Sequence, residues 1–452
     1  MRTLLLACRG ALHDRGVIVM KFGGTSVGDA ASIRQVVQVV RQHLDRRPVV
    51  VVSALAGVTD ALLAVARSAP FGNADTSAVA TRHRAILRDL DLPEDLLDPL
   101  LRELADLARG LRLVGSVTPQ AQDLLASFGE RCSARIVAAC MRQAGVPATA
   151  VDAFTAGLCT DSSFGRARPL PDDGRIAAHI ATVEGVPIVT GFIAADSQGH
   201  ITTLGRNGSD YSAALFGCAL AVQEIQIWKS VDGVRTADPR LVPGALPIRY
   251  MSFEEACELA SFGSQVLHPA AMVPAMQRGI SLRVRSTLDP SAPGTTIEAN
   301  ATSARPSVRA ISHRSTVALA SVTSERFLPQ HVFLARVFAE LAELQCDVGP
   351  VAVSEGCVTF AVDAMAVSAA QSRLEALGCV RVVEDQAVVG VVGSPGAIET
   401  SGAADVLHTL AEAGIAVRCA SQGAHGSTIA FVVAGRDLAR TVALLHDRFF
   451  RA

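Results

Sequence analysis

Apolar positions along this chain fall into two patterns. Some runs are short and unbroken: Val17-Ile18-Val19-Met20 leading into Lys21-Phe22, Pro48–Val52 leading into Ser53, and Ile188–Ala194 just after Pro187. A strand that is apolar at successive positions is buried on both faces, as in a parallel sheet covered by helices. Between these runs the sequence reads as helix, with a long one over residues 118–144 and others over Tyr211–Ala221, Ser252–Leu259 and Ser264–Arg278. Residues 70–115, rich in Leu, Arg and Asp, read as a helical insertion. Strands Glu224–Trp228 and Ile280–Arg285 complete an alternation that predicts an α/β fold.

The pattern changes after Asp289. Pro290, Pro293, Gly294, Asn300 and Pro306 stand among small polar residues, so 291–305 reads as a linker. Two similar units follow, 306–384 and 385–452. The first reads strand Val317–Val322, helix Val332–Leu344, two strands ending with Cys357–Val362, and helix Val367–Leu377. The second reads strand Ala387–Val392, helix Ala403–Ala413, strands Ala416–Ala420 and Ser427–Val433, and helix Leu438–Phe449. A tandem βαββαβ repeat implies a ligand-binding or dimerising module. Residues 1–16 read as a loose N-terminal extension, because their apolar stretch is too short for a secretory core.

Composition narrows the classes. Half of the residues are hydrophobic and 19% are charged, which excludes a disordered chain. The net charge of −2 leaves no electrostatic footprint for nucleic acid. No apolar run approaches the ~18–20 residues of a spanning helix, so no membrane partner is expected. The 10 cysteines form no CxxC pair, which predicts reduced thiols, no metal framework and a cytoplasmic protein. Of the 41 basic residues only two are lysines, Lys21 and Lys229. Biased codon usage explains their scarcity. A lysine that persists in such a background is a candidate for a compact point charge, which a guanidinium does not replace.

Two glycine-rich loops follow strands. Gly23-Gly24-Thr25-Ser26-Val27-Gly28 comes directly after Lys21-Phe22, with Asp29 placed to cap the next helix. Gly205–Asp210 opens the helix over Tyr211–Ala221. Neither is a Walker A loop or a GxGxxG fingerprint. Their backbone N–H groups can nonetheless cradle phosphate, although a glycine turn after a strand is by itself a weak indicator.

Taken in order, the segments are more specific. Lys21-Phe22-Gly23-Gly24-Thr25-Ser26-Val27 resembles the opening signature of aspartate kinases in the amino-acid kinase family. Val52-Ser53-Ala54 with Thr59, Phe128-Gly129-Glu130, and Gly205-Arg206-Asn207-Gly208-Ser209-Asp210-Tyr211-Ser212 follow the same order. So do Val231-Asp232-Gly233-Val234 with Thr236–Arg240, and Val266-Leu267-His268-Pro269. The tandem repeat is similar to the paired ACT domains of that family. The resemblance covers residues 17–452. It implies a three-layer α/β/α amino-acid kinase fold with a mainly parallel sheet over 17–290, then two ferredoxin-like ACT domains. It implies phosphorylation of the L-aspartate side chain by ATP, with Mg²⁺ held mainly by the nucleotide, at the head of lysine, threonine and methionine synthesis. It also implies a homodimer or larger assembly.

Carried over by position, Lys21 would neutralise the phosphoryl oxygens and Asp210 would orient Lys21, unless Asp210 simply caps its helix. Ser53, Thr59, Glu130, Arg206 and Ser209 would bind aspartate, Glu130 through the ammonium group and Arg206 through a carboxylate. Phe22, Gly23, Gly24, Lys229, Ser230, Asp232, Arg235, Arg240 and Gln265 would line the ATP site, with a plain turn as the alternative for Asp232. His268 reads as a helix cap. Three positions depart from the family: Lys229-Ser230 replaces an acidic pair, Arg235 replaces an aromatic residue, and Gln265 replaces a lysine. Lys229 or Arg235 is the expected source of the missing charge.

In the first repeat, Phe333–Phe338 and Val353-Ser354-Glu355 resemble a lysine-binding ACT domain. Gly349 stands where an acidic residue would clasp the effector, with Asp347 two positions away. Asp347, Ser354 and Glu355 are thus candidate contacts for lysine or threonine. A non-catalytic amino-acid sensor, or a kinase for another acidic amino acid, are the competing readings.

Overall fold

The computed structural model describes residues 16–451 except 264–266, 300, 302–306, 325–328, 395 and 424–425. The expected N-terminal extension therefore lies outside the described residues, apart from Gly16. The chain divides into two compact units. The first runs to Gly233 and resumes over Leu267–Ala299; the second comprises Val234–Val266 and the chain from Asn300. The segment expected as one catalytic domain, 17–290, is thus shared between two packing units.

In chain order the first unit contains β1 (Ile18–Phe22), α1 (Ala30–Arg41), β2 (Pro48–Val52), α2 (Val58–Ser68), α3 (Ser77–Asp89), α4 (Asp98–Val114), α5 (Pro119–Gln143) and β3 (Ala148–Val151). It continues with α6 (Arg175–Thr182), β4 (Val186–Thr190), β5 (Ile193–Ala195), β6 (Ile201–Thr203), α7 (Gly208–Ala219) and β7 (Glu224–Lys229). Val234–Val266 gives β8 (Tyr250–Met251) and α8 (Phe253–Ser261) to the second unit. The chain then returns with α9 (Pro269–Arg278), β9 (Ser281–Ser286) and β10 (Thr295–Ile297). Part of the expected linker is therefore a strand, β10, which pairs antiparallel with β9.

The sheet of the first unit runs β3-β4-β2-β1-β7-β9-β10 and is parallel from β3 through β9. Every residue of β1 and β2 is buried, as unbroken apolar strands require. The 70–115 region is packed rather than appended: Leu87, Leu97, Leu101 and Leu104 share the core of Phe22, Phe128 and Trp228. The expected strand Ile188–Ala194 is broken at Gly191-Phe192. A Cβ at Gly191 would lie 2.7 Å from the Ser209 Cβ, and Phe192 has φ 65°. Close approach by α7 bends the chain there.

The second unit continues with β11 (Val308–Ser324), α10 (Gln330–Glu343), β12 (Val348–Ser354), β13 (Cys357–Asp363), α11 (Val367–Leu374), β14 (Gly378–Gly393), α12 (Ala403–Glu412), β15 (Cys419–Gln422), β16 (Thr428–Ala434) and α13 (Leu438–Phe450). One sheet, β12-β13-β11-β14-β16-β15, contains both repeats. They are nested, where the sequence predicted a simple tandem. Val317–Ser324 pairs with the first part of β14 and packs with Phe333, Val337, Phe360 and Leu374. Val308–Arg314 pairs with the second part, and Ile311 packs with Val389, Val406, Phe431 and Val442. The second module thus takes its fourth strand from ahead of the first. Positive φ at Thr316 and Asp385 marks where each long strand passes between modules.

Ala237, Val242 and Ala245 join the core of the second module, and the Ile311 N–H donates to the Thr236 carbonyl at 2.7 Å. Those contacts place Val234–Val266 in this unit. Cys419 of β15 reaches the Pro350 carbonyl of β12 at 3.9 Å, so the sheet curls until its edge strands meet. Among the described residues no helix is long and apolar enough to cross a membrane.

Candidate active site

The carboxyl ends of β4, β2, β1 and β7 lie side by side in the sheet, the edge at which such sheets hold ligands in a crevice. Small residues let its walls close up. A Cβ at Gly24 would lie 2.9 Å from the Ala54 carbonyl oxygen, and the Ala56 N–H donates to the Gly24 carbonyl. The Ser53 N–H donates to the Phe22 carbonyl, which joins the turns after β1 and β2. A Cβ at Gly129 would lie 2.7 Å from that of Ala54, so α5 approaches the same turn. This contact delivers Glu130, whose Oε1 accepts from the Ala54 N–H at 3.0 Å.

Glu130 is 3% exposed, and its Oε2 has no partner among the described residues. Burial pushes its carboxyl up to about 8, against the opposing pull of the Ala54 N–H and the Lys21 charge. Two turns earlier on α5, Asp123 is also buried. It accepts from the N–H groups of Gly165 and Thr203 and from the Thr203 hydroxyl, tying the 165 loop and β6 to the helix. Sequence reasoning missed Asp123. The signal was its seven-residue spacing from Glu130, which puts two carboxylates on one helix face.

Both lysines of the chain converge on one carboxylate. Lys21 Nζ lies 2.6 Å from Asp210 Oδ1, and Lys229 Nζ lies 3.3 Å from Oδ2. Asp210 is 2% exposed, in the first turn of α7. Burial alone would raise its carboxyl; the two ammonium groups reverse that and hold it below its usual value. Burial lowers the Lys229 ammonium, helped by Lys21 and opposed by Asp210. The α7 N-cap, Asn207, has φ 56° and makes no side-chain cap bond, and the Asp210 side chain faces the lysines. Capping is therefore not its role. The Lys229 carbonyl accepts from both the N–H and the hydroxyl of Thr287, at 2.8 and 3.0 Å. Trp228, fully buried, stacks on Phe22 at 5.9 Å, with the Arg285 guanidinium 4.5 Å from its ring centroid.

The other expected residues divide. Thr59 is half-buried in the first turn of α2, Ser209 is buried against Gly191, and Arg206 is exposed in the loop before α7. Ser230 is exposed and Asp232 half-buried, just beyond Lys229. Arg235 and Arg240 belong to the second unit. There Arg235 donates to the Ala245 carbonyl at 2.9 Å, and Arg240 forks onto Asp238 at 2.7 and 3.1 Å. Gln265 lies outside the described residues. His268 caps α9, accepting from the Ala270 N–H. Asp347 precedes β12, while Ser354 and Glu355 follow at its far end, all exposed. At ~3.3 Å per residue about 20 Å separates them, so one chain does not gather them around one small molecule. Among the described residues no group of three or more His, Cys, Asp or Glu is arranged to hold a metal ion.

A family model described as the amino acid kinase family matches residues 16–286, and one described as an ACT domain matches 387–449. Aspartokinase 1, chloroplastic, of Arabidopsis thaliana is 34% identical over 98% of this chain and 82% of its own length. The structure of E. coli aspartokinase III in complex with aspartate and ADP, in its R-state, superposes with a TM-score of 0.82 at 33% identity, covering 96% of this chain and 100% of that one. The T-state of the same enzyme, in complex with lysine and aspartate, gives 0.80 at 32% identity over 96% and 99%. The crevice, its charges and these likenesses agree: the chain belongs to the amino acid kinase family, as an aspartokinase with C-terminal ACT domains.

Proposed function

We propose that this chain transfers the γ-phosphoryl group of MgATP to the side-chain carboxylate of L-aspartate. The observation that carries the reading is Glu130. It is a buried carboxylate with one oxygen unpartnered, close enough to Lys21 to feel its charge. A substrate ammonium supplies the counter-charge that oxygen lacks. Arg206 forks onto the substrate α-carboxylate, and the hydroxyls of Ser53, Thr59 and Ser209 complete the pocket.

The N–H groups of Gly23 and Gly24 and the Lys21 ammonium receive the phosphate oxygens, with Phe22, Ser230 and Asp232 on the nucleotide side. Mg²⁺ enters on the nucleotide. A carboxylate oxygen of aspartate attacks the γ-phosphorus and forms a P–O bond. The bond from that phosphorus to the bridging oxygen breaks, and its electron pair leaves on ADP. No proton need move, so catalysis consists of positioning and charge stabilisation. Arg235 and Arg240 are left out of this assignment, because Ala245 and Asp238 engage them.

Aspartyl phosphate is trapped by hydroxylamine. Formation of the hydroxamate with aspartate, ATP and Mg²⁺, and much less with glutamate, is the expected result. No hydroxamate at millimolar substrate would overturn the reading in favour of a non-catalytic amino-acid sensor. We further infer a cytoplasmic homodimer or larger assembly, committed to lysine, threonine and methionine synthesis and regulated through its ACT modules. The E. coli structure with lysine supports an amino-acid effector. Rates with and without lysine or threonine, together with the mass in solution, test these points.

A further inference from the structure

We propose that Asp123 is a positioning residue: it fixes the span between Glu130 and Arg206, and with it the place where the substrate side chain ends. This rests on the kinase reading given above, in which Glu130 takes the substrate ammonium and Arg206 its α-carboxylate.

Asp123 and Glu130 lie on one helix, α5. Their seven-residue spacing is two turns, about 10 Å, on nearly the same face. Arg206 is held differently. It is exposed, in the loop between β6 and α7, so its place follows from the backbone that carries it. That backbone is bound to Asp123. The Thr203 N–H and the Gly165 N–H both donate to Asp123 Oδ2 at 2.8 Å, and the Thr203 hydroxyl donates to Oδ1 at 2.9 Å. From Thr203 to Arg206 is three residues, at most ~11 Å of extended chain. The Ala167 N–H donates to the Thr203 carbonyl at 2.8 Å. A Cβ at Gly205 would lie 3.4 Å from the Arg166 Cβ and from the Gly165 carbonyl oxygen. The 165–167 loop thus runs along the chain leading to Arg206, and one carboxylate holds both. Helix α5 therefore carries both arms of the clamp, Glu130 directly and Arg206 through Asp123 and Thr203.

A carboxylate suits this task. It is acceptor-only, so three donors meet it with no proton of its own to place. Asp123 is 3% exposed, so water does not compete for those bonds. The consequence is selectivity. Aspartate and glutamate share the ammonium and the α-carboxylate, and the clamp holds only these. Discrimination then depends on how firmly the α-carbon is held. A fixed span brings the aspartate carboxylate to the γ-phosphorus and carries that of glutamate, one methylene longer, past it.

Hydroxamate kinetics and aspartate binding by calorimetry test this. Asp123→Ala should lower kcat/KM for aspartate on the order of 10²-fold, chiefly through KM, as a misplacement of about 1 Å does. The ATP KM should stay within about twofold, because uniform nucleotide binding is untouched. The preference for aspartate over glutamate should shrink by about tenfold, part of what one methylene is worth. Asp123→Asn should restore most of the loss: its amide oxygen takes both N–H groups and its NH2 turns to the Thr203 hydroxyl. If Asp123 only held the fold together, Asp123→Ala would lose active enzyme while both KM values and the aspartate preference stayed put, and that result would overturn the proposal. Asp123→Asn as poor as Asp123→Ala would refute it too, since charge rather than spacing would then be at work.

Should Asp123→Ala not fold, Thr203→Val removes only the hydroxyl. The aspartate KM should then rise about threefold, the worth of one hydrogen bond; an unchanged value would sink the idea. Wild-type protein that makes no aspartyl hydroxamate removes the kinase reading alone. Aspartate binding that weakens in Asp123→Ala and returns in Asp123→Asn would still support the span, and equal binding by all three proteins would reject it.

Discussion

The crevice of the first unit and the curled sheet of the second assemble by different means. In the crevice the lysines and Asp210 sit near strand ends or in a first helical turn, and Glu130 comes from the middle of α5, next to glycines that let two backbones touch. Lys21 is next to last in β1, Lys229 ends β7, and Asp210 lies in the first turn of α7. In the sheet, Val308–Arg314 crosses to a module whose other strands lie beyond Gln386, while Asp347 and Ser354 stand at opposite ends of β12. The first region is fixed by local geometry carried in short motifs. The second is fixed by which distant edge finds a partner.

The contrast can be broken most severely at Asp210. Asp210→Ala takes the carboxylate from the buried Lys21 ammonium, so we expect a loss of about 3–5 kcal/mol in denaturant unfolding, as when one partner of a buried ion pair is removed. Near-complete loss of hydroxamate formation should accompany it. An unchanged unfolding midpoint would mean that the crevice is wetter than its burial implies. The matching test in the second unit is Ile311→Ala. Its side chain lies in the borrowed strand and is 2% exposed, so truncation should cost about 2–4 kcal/mol. A cost below ~1 kcal/mol would argue against the nested core.

Gly129→Ala is gentler. The new methyl meets Ala54, the residue whose N–H holds Glu130, and overpacking of this kind costs about 1–3 kcal/mol. Displacing Glu130 should raise the KM for aspartate more than that for ATP; equal rises would sever the link between this contact and aspartate. The pH dependence is smaller still. The Glu130 carboxyl is raised from 4.5 to about 8 in the ligand-free protein, so the fold favours its protonated form. Its contribution to stability is present at low pH and declines as pH rises from 4.5 through about 8. Aspartate binding requires the carboxylate, so the aspartate KM should fall as pH rises towards 8. Glu130→Gln should abolish that slope, and a flat wild-type profile between pH 6 and 8 would refute the assignment. The smallest effect is expected at Arg240. Its guanidinium is 80% exposed and pairs with Asp238, so Arg240→Ala should leave the ATP KM within about twofold, in line with the modest worth of exposed pairs.

Much of the crevice was legible. Lys21, Glu130 and Asp210 were singled out from motifs, and the carboxyl-end turns from unbroken apolar strands. Asp123 escaped because it belongs to no glycine turn; only its helical spacing from Glu130 marked it. Arg235 and Arg240 were placed with the nucleotide by the family resemblance; in the structure they belong to the second unit, where Ala237, Val242 and Ala245 join the core. Strand β10 was hidden in a proline- and glycine-rich segment whose two edge residues face inward only through pairing with β9. The tandem repeat was visible as a run of elements, but both members were read without a final strand, which β14 and the first part of β11 supply.

By itself, then, the sequence determined where strands end and helices begin, because side-chain periodicity, glycine and proline act over a few residues. It also determined that just two ammonium side chains exist. Only the tertiary structure decided that both meet one carboxylate, that Glu130 is buried with an oxygen to spare, and that the ACT modules interlock. Those outcomes depend on which distant surfaces leave water together, and no local pattern encodes the partner.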